Sequence, residues 1–408
     1  MSDSTSLLDL AVTEGPSGPT VYAERPVWRC AVTGIWVVES YELVRQALLR
    51  SAEFSSKTTL SILDARFPAH EVEAIYRESG CTWTRTLQTN DAPGHRRFRA
   101  LVERVFTASK VDAMTPDMEN AARELLADCP DQAVFDAVER LATPLPLRVI
   151  ANQLGAPVED FSLLKRWSDA AVRAIGLGAT REQHLDAARC GVEFQRYFGA
   201  MLDDPARLPP GSLIDRIAAA SDPADATLAR AEQLSLMHQL MIAGHETTTS
   251  TLASILLFLA THEDLVAIVR ADPGAAKRLI EDVLRLHAPV QGLFRITTGP
   301  VDLGGVELPS RAILSLRLGA ANRDPSRFSH DEPLAGPPPG AHLSFGLGLH
   351  HCIGASLARR ELLAAVAAVL KRYATLRLGA PTESLVYSRS AMTRGLLGLP
   401  IIGTPHVH

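Results

Sequence analysis

The sequence contains no CxxC pair and no large excess of either charge, and each absence excludes something. The cysteines Cys30, Cys81, Cys129, Cys190 and Cys352 are odd in number and lack paired spacing. That argues against a zinc ribbon or a disulfide framework, and for a reducing, cytoplasmic compartment. A net charge of -5 with 21% charged residues offers no basic surface for nucleic acid. The most apolar run, Leu252 to Ala260, falls far short of the roughly 20 residues that span a bilayer, so no membrane is expected. Residues 1–19 lack the charged start and apolar centre of a signal peptide, and a flexible tail is expected there. Hydrophobic residues are plentiful, at 46% of 408, enough for an extended core in one large domain or in two or three ordinary ones.

Val27 to Val32 and Ile35 to Val38, separated by Thr33-Gly34, read as a hairpin followed by a helix from Tyr41 to Arg50. The stretch from Glu53 to about Asn90 shows no clean periodicity and is expected to be irregular. A basic helix begins after Asp91-Ala92-Pro93-Gly94, and in it His95 and Arg99, four apart, share a face suited to an anion. Helical periodicity runs from Asp117 to Asp204 with interruptions at Thr143-Pro144, Gly155-Ala156-Pro157 and Gly176 to Thr180, making Glu159 to Leu202 two helices. Leu228 to His262 lacks proline and reads as one long buried helix, with Gly244-His245-Glu246-Thr247 at its middle. Glycine inside a helix costs about 1 kcal/mol against alanine. A Glu-Thr pair beside it suits a group approaching the backbone, and the Thr247 hydroxyl can bond the preceding turn and open the helix locally. Another helix carries Leu279 to Pro289. Beyond it come two strands within Val301 to Leu318, a loop from Phe328 to Gly340 containing three consecutive prolines, a helix from Gly354 to Tyr373, and a hairpin from Tyr387 to Ile402 with Ala391-Met392-Thr393 at its tip.

The most informative stretch is Phe345-Gly346-Leu347-Gly348-Leu349-His350-His351-Cys352-Ile353-Gly354, which runs into Ala355-Ser356-Leu357-Ala358-Arg359-Arg360-Glu361. Three glycines around one cysteine describe a tight turn lying close to something flat or bulky. Helix formers with apolar spacing follow Gly354, so Cys352 precedes a helix N-terminus, where N–H groups and the dipole favour a thiolate. A thiolate without a second nearby cysteine points to a haem iron ligand rather than to zinc.

The pattern Phe-Gly-x-Gly-x-His-x-Cys-x-Gly, followed by Leu-Ala-Arg, resembles the haem loop of the cytochrome P450 family, and within it the soluble bacterial members. The resemblance implies a mostly α (α+β) single domain over residues 1–408, enclosing haem b with Cys352 as the iron ligand. It implies that Phe345, Gly346 and Gly354 cradle the haem, that His95, Arg99, Arg295 and His350 hold its propionates, and that Ala243 lies against it. It makes Glu246 the acid and Thr247 the alcohol of a proton relay. Trp83, Leu87, Ile242, Leu293, Phe294 and Met392 are the implied walls of a pocket for a hydrophobic small molecule, such as a secondary metabolite. Alignment on Arg285 and Pro289 puts Asp282 where the family has glutamate, with Glu281 as the competing partner, and no arginine lies between Phe328 and Gly340 to complete the usual triad. A stiff proline-rich loop is the expected replacement. Electrons are expected from a ferredoxin or flavodoxin drawn to Arg96, Arg104, Arg359 and Arg360.

The implied activity is a monooxygenation that consumes dioxygen. Oxidative coupling on the same haem, or a non-enzymatic haem-thiolate gas sensor or electron carrier, are the alternatives. The Glu246-Thr247 pair favours oxygen activation, because a sensor or carrier has no need of a proton relay.

Overall fold

The structure is a computed structural model that describes residues 26–58, 67–175, 179–204, 206, 208–219, 228–336, 340–388, 390 and 392–406. The expected tail at residues 1–19, the three prolines 337–339 and Ala391 lie outside the described residues. Contacts divide the chain into two compact units, one built from Met1–Ser55, Val111–Leu145 and Thr247–His408, the other from Ser56–Lys110 and Pro146–Glu246.

The first unit holds all of the sheet. Val27–Arg29 and Trp36–Val38 pair as the expected hairpin. The Gly34 φ of +71° explains the glycine at its turn. Trp36–Val38 then runs parallel to Ile313–Leu316, which pairs antiparallel with Leu293–Thr297, and Phe54–Ser55 closes this five-stranded sheet. Beneath it lie Val38, Val44, Leu48, Phe54, Leu303, Leu314 and Leu316, all buried. A larger apolar core joins Thr115–Ala127, the end of Arg230–Thr261, Pro273–Leu286 and Ala355–Arg372 through Leu126, Leu256, Leu279, Leu284, Leu362 and Val366. The helix Pro273–Leu286 starts where Asp272 accepts the Gly274 N–H at 2.7 Å and Pro273 takes the first position, where its missing N–H costs nothing.

In the second unit, Phe161–Ala174 and Arg181–Leu202 are the two helices expected between Glu159 and Leu202. A reciprocal cap of Thr180 and Gln183 opens the latter. The long helix occupies Arg230–Thr261 and spans the boundary between the units.

Several expectations are corrected. The stretch from Glu53 to Asn90 contains the helix Ala69–Glu78, whose short apolar stripe, Val72, Ile75 and Tyr76, is only half-buried. Within the supposedly helical region, Val134–Asp136 is a strand. It pairs with Pro400–Pro405, which also pairs with Tyr373–Leu378. The interruption at Thr143-Pro144 is found where expected, between a π-helical turn, Val138–Ala142, and the helix Pro144–Gln153. The helix Glu263–Ala271 was not foreseen. The tail hairpin is confined to bridges such as Tyr387 with Leu396, its last residues having left for the three-stranded sheet.

Candidate active site

In the first unit the cysteine loop is closed on itself. The Cys352 N–H donates to the Phe345 carbonyl at 2.7 Å, and the Gly346 N–H to the Leu343 carbonyl at 2.8 Å. Gly346 and Gly348 take φ of +64° and +69°, the left-handed region that only glycine enters cheaply. A Cβ on Gly348 would also stand 3.0 Å from the Leu48 carbonyl oxygen. Gly354 caps the helix Ala355–Arg372, and among the described residues nothing beyond its chain neighbours and its own helix lies within 4 Å of where its Cβ would be. Cys352 therefore sits just before a helix N-terminus and is exposed. His350 ends the short turn Gly348–His350, and His351 is exposed as expected of a surface residue.

Arg295 is buried on its strand and donates to the Phe294 carbonyl at 2.8 Å. The Met392 carbonyl accepts the Gln291 N–H at 2.7 Å, which brings Met392 beside the start of the strand carrying Leu293 and Phe294. Three expected pocket residues are thus gathered in one unit. Leu293 and Met392 are half-buried and Phe294 is buried.

In the second unit, His95 and Arg99 share one face of Gly94–Glu103. His95 is buried. Burial first, and then the Arg99 charge, hold its imidazole below its ordinary pKa. Arg99 also pairs with Glu103 at 2.6 Å, a partner the sequence reading overlooked. Trp83 is half exposed and meets the His238 ring edge-on at 5.3 Å. The loop carrying Leu87 is tied to the long helix, with the Thr84 N–H donating to Ser235 Oγ at 3.1 Å and the Gln88 N–H to Gln239 Oε1 at 3.4 Å.

The long helix is mostly buried, yet Ala243 is exposed, and Gln239, Ile242, Gly244, Glu246 and Thr247 are only partly covered. Positions 239, 243 and 247 recur every four residues, so they form one stripe. Ala243 keeps that stripe low, as a flat group lying along the helix requires. The helix runs unbroken through this point, which corrects the expected local opening. The Thr247 carbonyl accepts the Thr251 hydroxyl at 2.9 Å. Burial, and then the nearby Asp169 charge, raise the Glu246 carboxyl above its ordinary pKa, which suits a group that carries a proton. His245, also missed, meets Ser168 Oγ through Nδ1 at 3.1 Å, and burial lowers its pKa to about 4.

The anchor behind the cysteine loop departs from expectation in an instructive way. Asp282 and Arg285 are both buried, with Nε to Oδ1 at 3.9 Å. Where the resemblance asks for an arginine, His330 Nε2 approaches Asp282 Oδ1 at 3.4 Å, and the Leu334 N–H donates to Oδ2 at 3.0 Å. Arg285 in turn donates to the carbonyls of His330 at 2.7 Å and Asn322 at 3.2 Å. Glu281 does not compete for Arg285. It binds Arg359 through both oxygens, at 2.6 and 2.9 Å. Arg360 pairs with Asp112. Two of the four arginines expected to greet an acidic partner are therefore already paired.

Residues 203–272 and 276–385 match the sequence profile of the family described as Cytochrome P450. The chain is 33% identical over 373 residues to the 6-deoxyerythronolide B hydroxylase of Saccharopolyspora erythraea, covering 90% of this chain and 89% of that one. It is 32% identical over 406 residues to the cytochrome P450 monooxygenase PikC of Streptomyces venezuelae, covering 96% and 92%. The crystal structure of CalO2 superposes with a TM-score of 0.86 at 28% identity, over 99% of this chain and 100% of that one. No single helix among the described residues is long and apolar enough to cross a membrane. A glycine-walled cysteine before a helix and a long helix with a low stripe at its acid-alcohol pair thus occur in a chain that belongs, by sequence and by fold, to the cytochrome P450 family of haem-thiolate monooxygenases.

Proposed function

We propose that Cys352 is the thiolate ligand of haem b, and that the chain, as one catalytic domain in the cytoplasm, uses dioxygen to oxidise a hydrophobic small molecule of secondary metabolism. The observation that carries this is the loop itself. Cys352 is exposed, its N–H is tied to the Phe345 carbonyl, and Gly346 and Gly348 hold conformations that leave no side chain in the way. The residues of the unit that carries Cys352 fit the group, with one sulfur for the iron and the basic side chains Arg295 and His350 for carboxylate, and His95 and Arg99 are the further proposed propionate partners. When bound, the haem supplies dioxygen activation, and thiolate donation favours O–O cleavage.

The chain's own residues do the rest. The helix N-terminus behind Cys352 favours its anionic form. Glu246, with its raised pKa, delivers protons towards the Thr247 hydroxyl, and Ala243 leaves the helix surface low beside that hydroxyl. In the unit that carries Cys352, Leu293, Phe294 and Met392 present apolar surface to the substrate. Electrons come from a ferredoxin or flavodoxin.

A spectral titration of the haem band with a compound library identifies a ligand. Turnover of that ligand under isotopically labelled dioxygen should then add one labelled oxygen to the product. A product with no labelled oxygen whose mass reports two joined molecules would establish coupling instead, and a protein that consumes no dioxygen when reduced would be a sensor or carrier.

A further inference from the structure

Arg359 lies seven residues beyond Cys352, on the first turns of the helix that follows it, and folds back over the loop. Its guanidinium carbon stands 4.3 Å from the centre of the Phe345 ring, within cation–π distance. Both of its outer contacts go to Glu281, Nε to Oε1 at 2.6 Å and Nη2 to Oε2 at 2.9 Å, the forked geometry that fixes a guanidinium in plane. Glu281 is held from its other side by His342, whose Nε2 lies 3.2 Å from Oε2. His342 Nδ1 accepts the Ser344 N–H at 3.2 Å, so the proton that Glu281 receives sits on Nε2. The His342 ring also packs against Phe345 at 5.7 Å. Phe345 is the residue whose carbonyl accepts the Cys352 N–H at 2.7 Å. Three side chains from two helices and one loop, Arg359, Glu281 and His342, thus form one connected cluster beside Phe345, the residue that anchors the sulfur's own backbone.

Burial opposes ionisation of Glu281, but the hydrogen bonds from Arg359 and His342 outweigh it and hold the carboxyl at about 2, so it is charged at neutral pH. Arg359 is held above its ordinary pKa chiefly by its hydrogen bonds to Glu281, with the Cys352 charge adding to this. Both members of the pair therefore carry full charge beside the loop. Of the nearby ionisable groups, Arg360 pairs with Asp112 and burial pushes the Glu361 carboxyl well above its ordinary pKa, while Arg359 stands directly over the Phe345 ring.

We propose that Arg359 is a positioning residue for the iron ligand: clamped by Glu281 and stacked on Phe345, it fixes the loop that presents Cys352 and sets the electrostatic field at its sulfur. This rests on Cys352 being the iron ligand. Haem potentials respond to charge and hydrogen bonding around the axial ligand. A cation here favours the reduced protein and a carboxylate the oxidised one, so the two charges must act with opposite sign.

The test is the midpoint potential of the haem-loaded protein, with the reduced carbon monoxide spectrum recorded on each sample. Arg359→Gln should shift the potential to more negative values and Glu281→Gln to more positive ones. Arg359→Lys, which keeps the charge, should stay near wild type. If Arg359→Gln does not retain haem, the upward shift of Glu281→Gln and the unmoved Arg359→Lys carry the comparison. Potentials that move in the same direction in both glutamine variants, or do not move, with the thiolate carbon monoxide band intact, overturn the proposal, because loosening of the loop has no charge sign. A wild-type spectrum without that band overturns the assignment of Cys352 itself, and this role for Arg359 with it.

Discussion

Removing the Asp282 carboxylate should be among the most damaging single changes behind the haem loop. Asp282 and Arg285 are 1% and 0% exposed, and Nε stands 3.9 Å from Oδ1. At that separation two unit charges attract by about 4 kcal/mol with an effective dielectric of 20. Asp282→Ala leaves Arg285 buried without its only nearby buried counter-charge among the described residues, and frees the Leu334 N–H as well. Breaking a buried pair from one side costs roughly 3 to 5 kcal/mol, because the remaining charge stays desolvated. Burial already presses the Arg285 pKa downward, with Asp282 as the first influence that opposes it. Asp282→Asn, which keeps an acceptor for Leu334 but not the charge, should fall between Ala and wild type. The assay is thermal unfolding followed by the haem band, with denaturant unfolding as a second measure. An Asp282→Ala protein that melts with wild type would refute the reasoning, and one that melts with Asp282→Asn would show that the lost charge, and not the freed N–H, carries the cost.

Two further outcomes are expected. Thr247→Ala should divert reducing equivalents from product to hydrogen peroxide, and Glu246→Ala should lower turnover by about 10²-fold or more; unchanged coupling and rate in both would contradict the relay. His238 and His245 are buried on the long helix with pKa values lowered to about 4 by burial, from the ordinary 6.5. The unfolded chain thus binds protons that the folded one refuses, so each histidine's contribution is intact above pH 6.5 and is lost as the pH falls towards 4, a loss on the order of 3 kcal/mol apiece. His238→Leu should therefore lose less stability than wild type between about pH 7 and about pH 4.5, and an equal loss would contradict this.

Chemistry written in short contiguous stretches was readable from the sequence. The cysteine loop needs glycines at fixed positions, and the structure puts Gly346 and Gly348 at positive φ where that need predicts. The long helix was legible because proline is absent and apolar residues continue throughout, and its occupied range, Arg230–Thr261, differs little from the expected one. What escaped was held by partners far along the chain. The missing arginine is replaced by His330 and by a backbone N–H at Leu334, and a main-chain donor has no letter in the sequence. Glu281 reads as a competitor for Arg285 from the sequence because its actual partner, Arg359, is 78 residues away. The strand Val134–Asp136 is three residues long and pairs with residues near the C-terminus, so no local pattern announces it.

The most direct test of the account is the absorption spectrum of the reduced carbon monoxide complex, in wild type and in Cys352→Ala. The account predicts a band at the position characteristic of thiolate ligation in wild type and its loss in Cys352→Ala. A wild-type complex absorbing where histidine-ligated haem does, or a thiolate band that survives in Cys352→Ala, would contradict it.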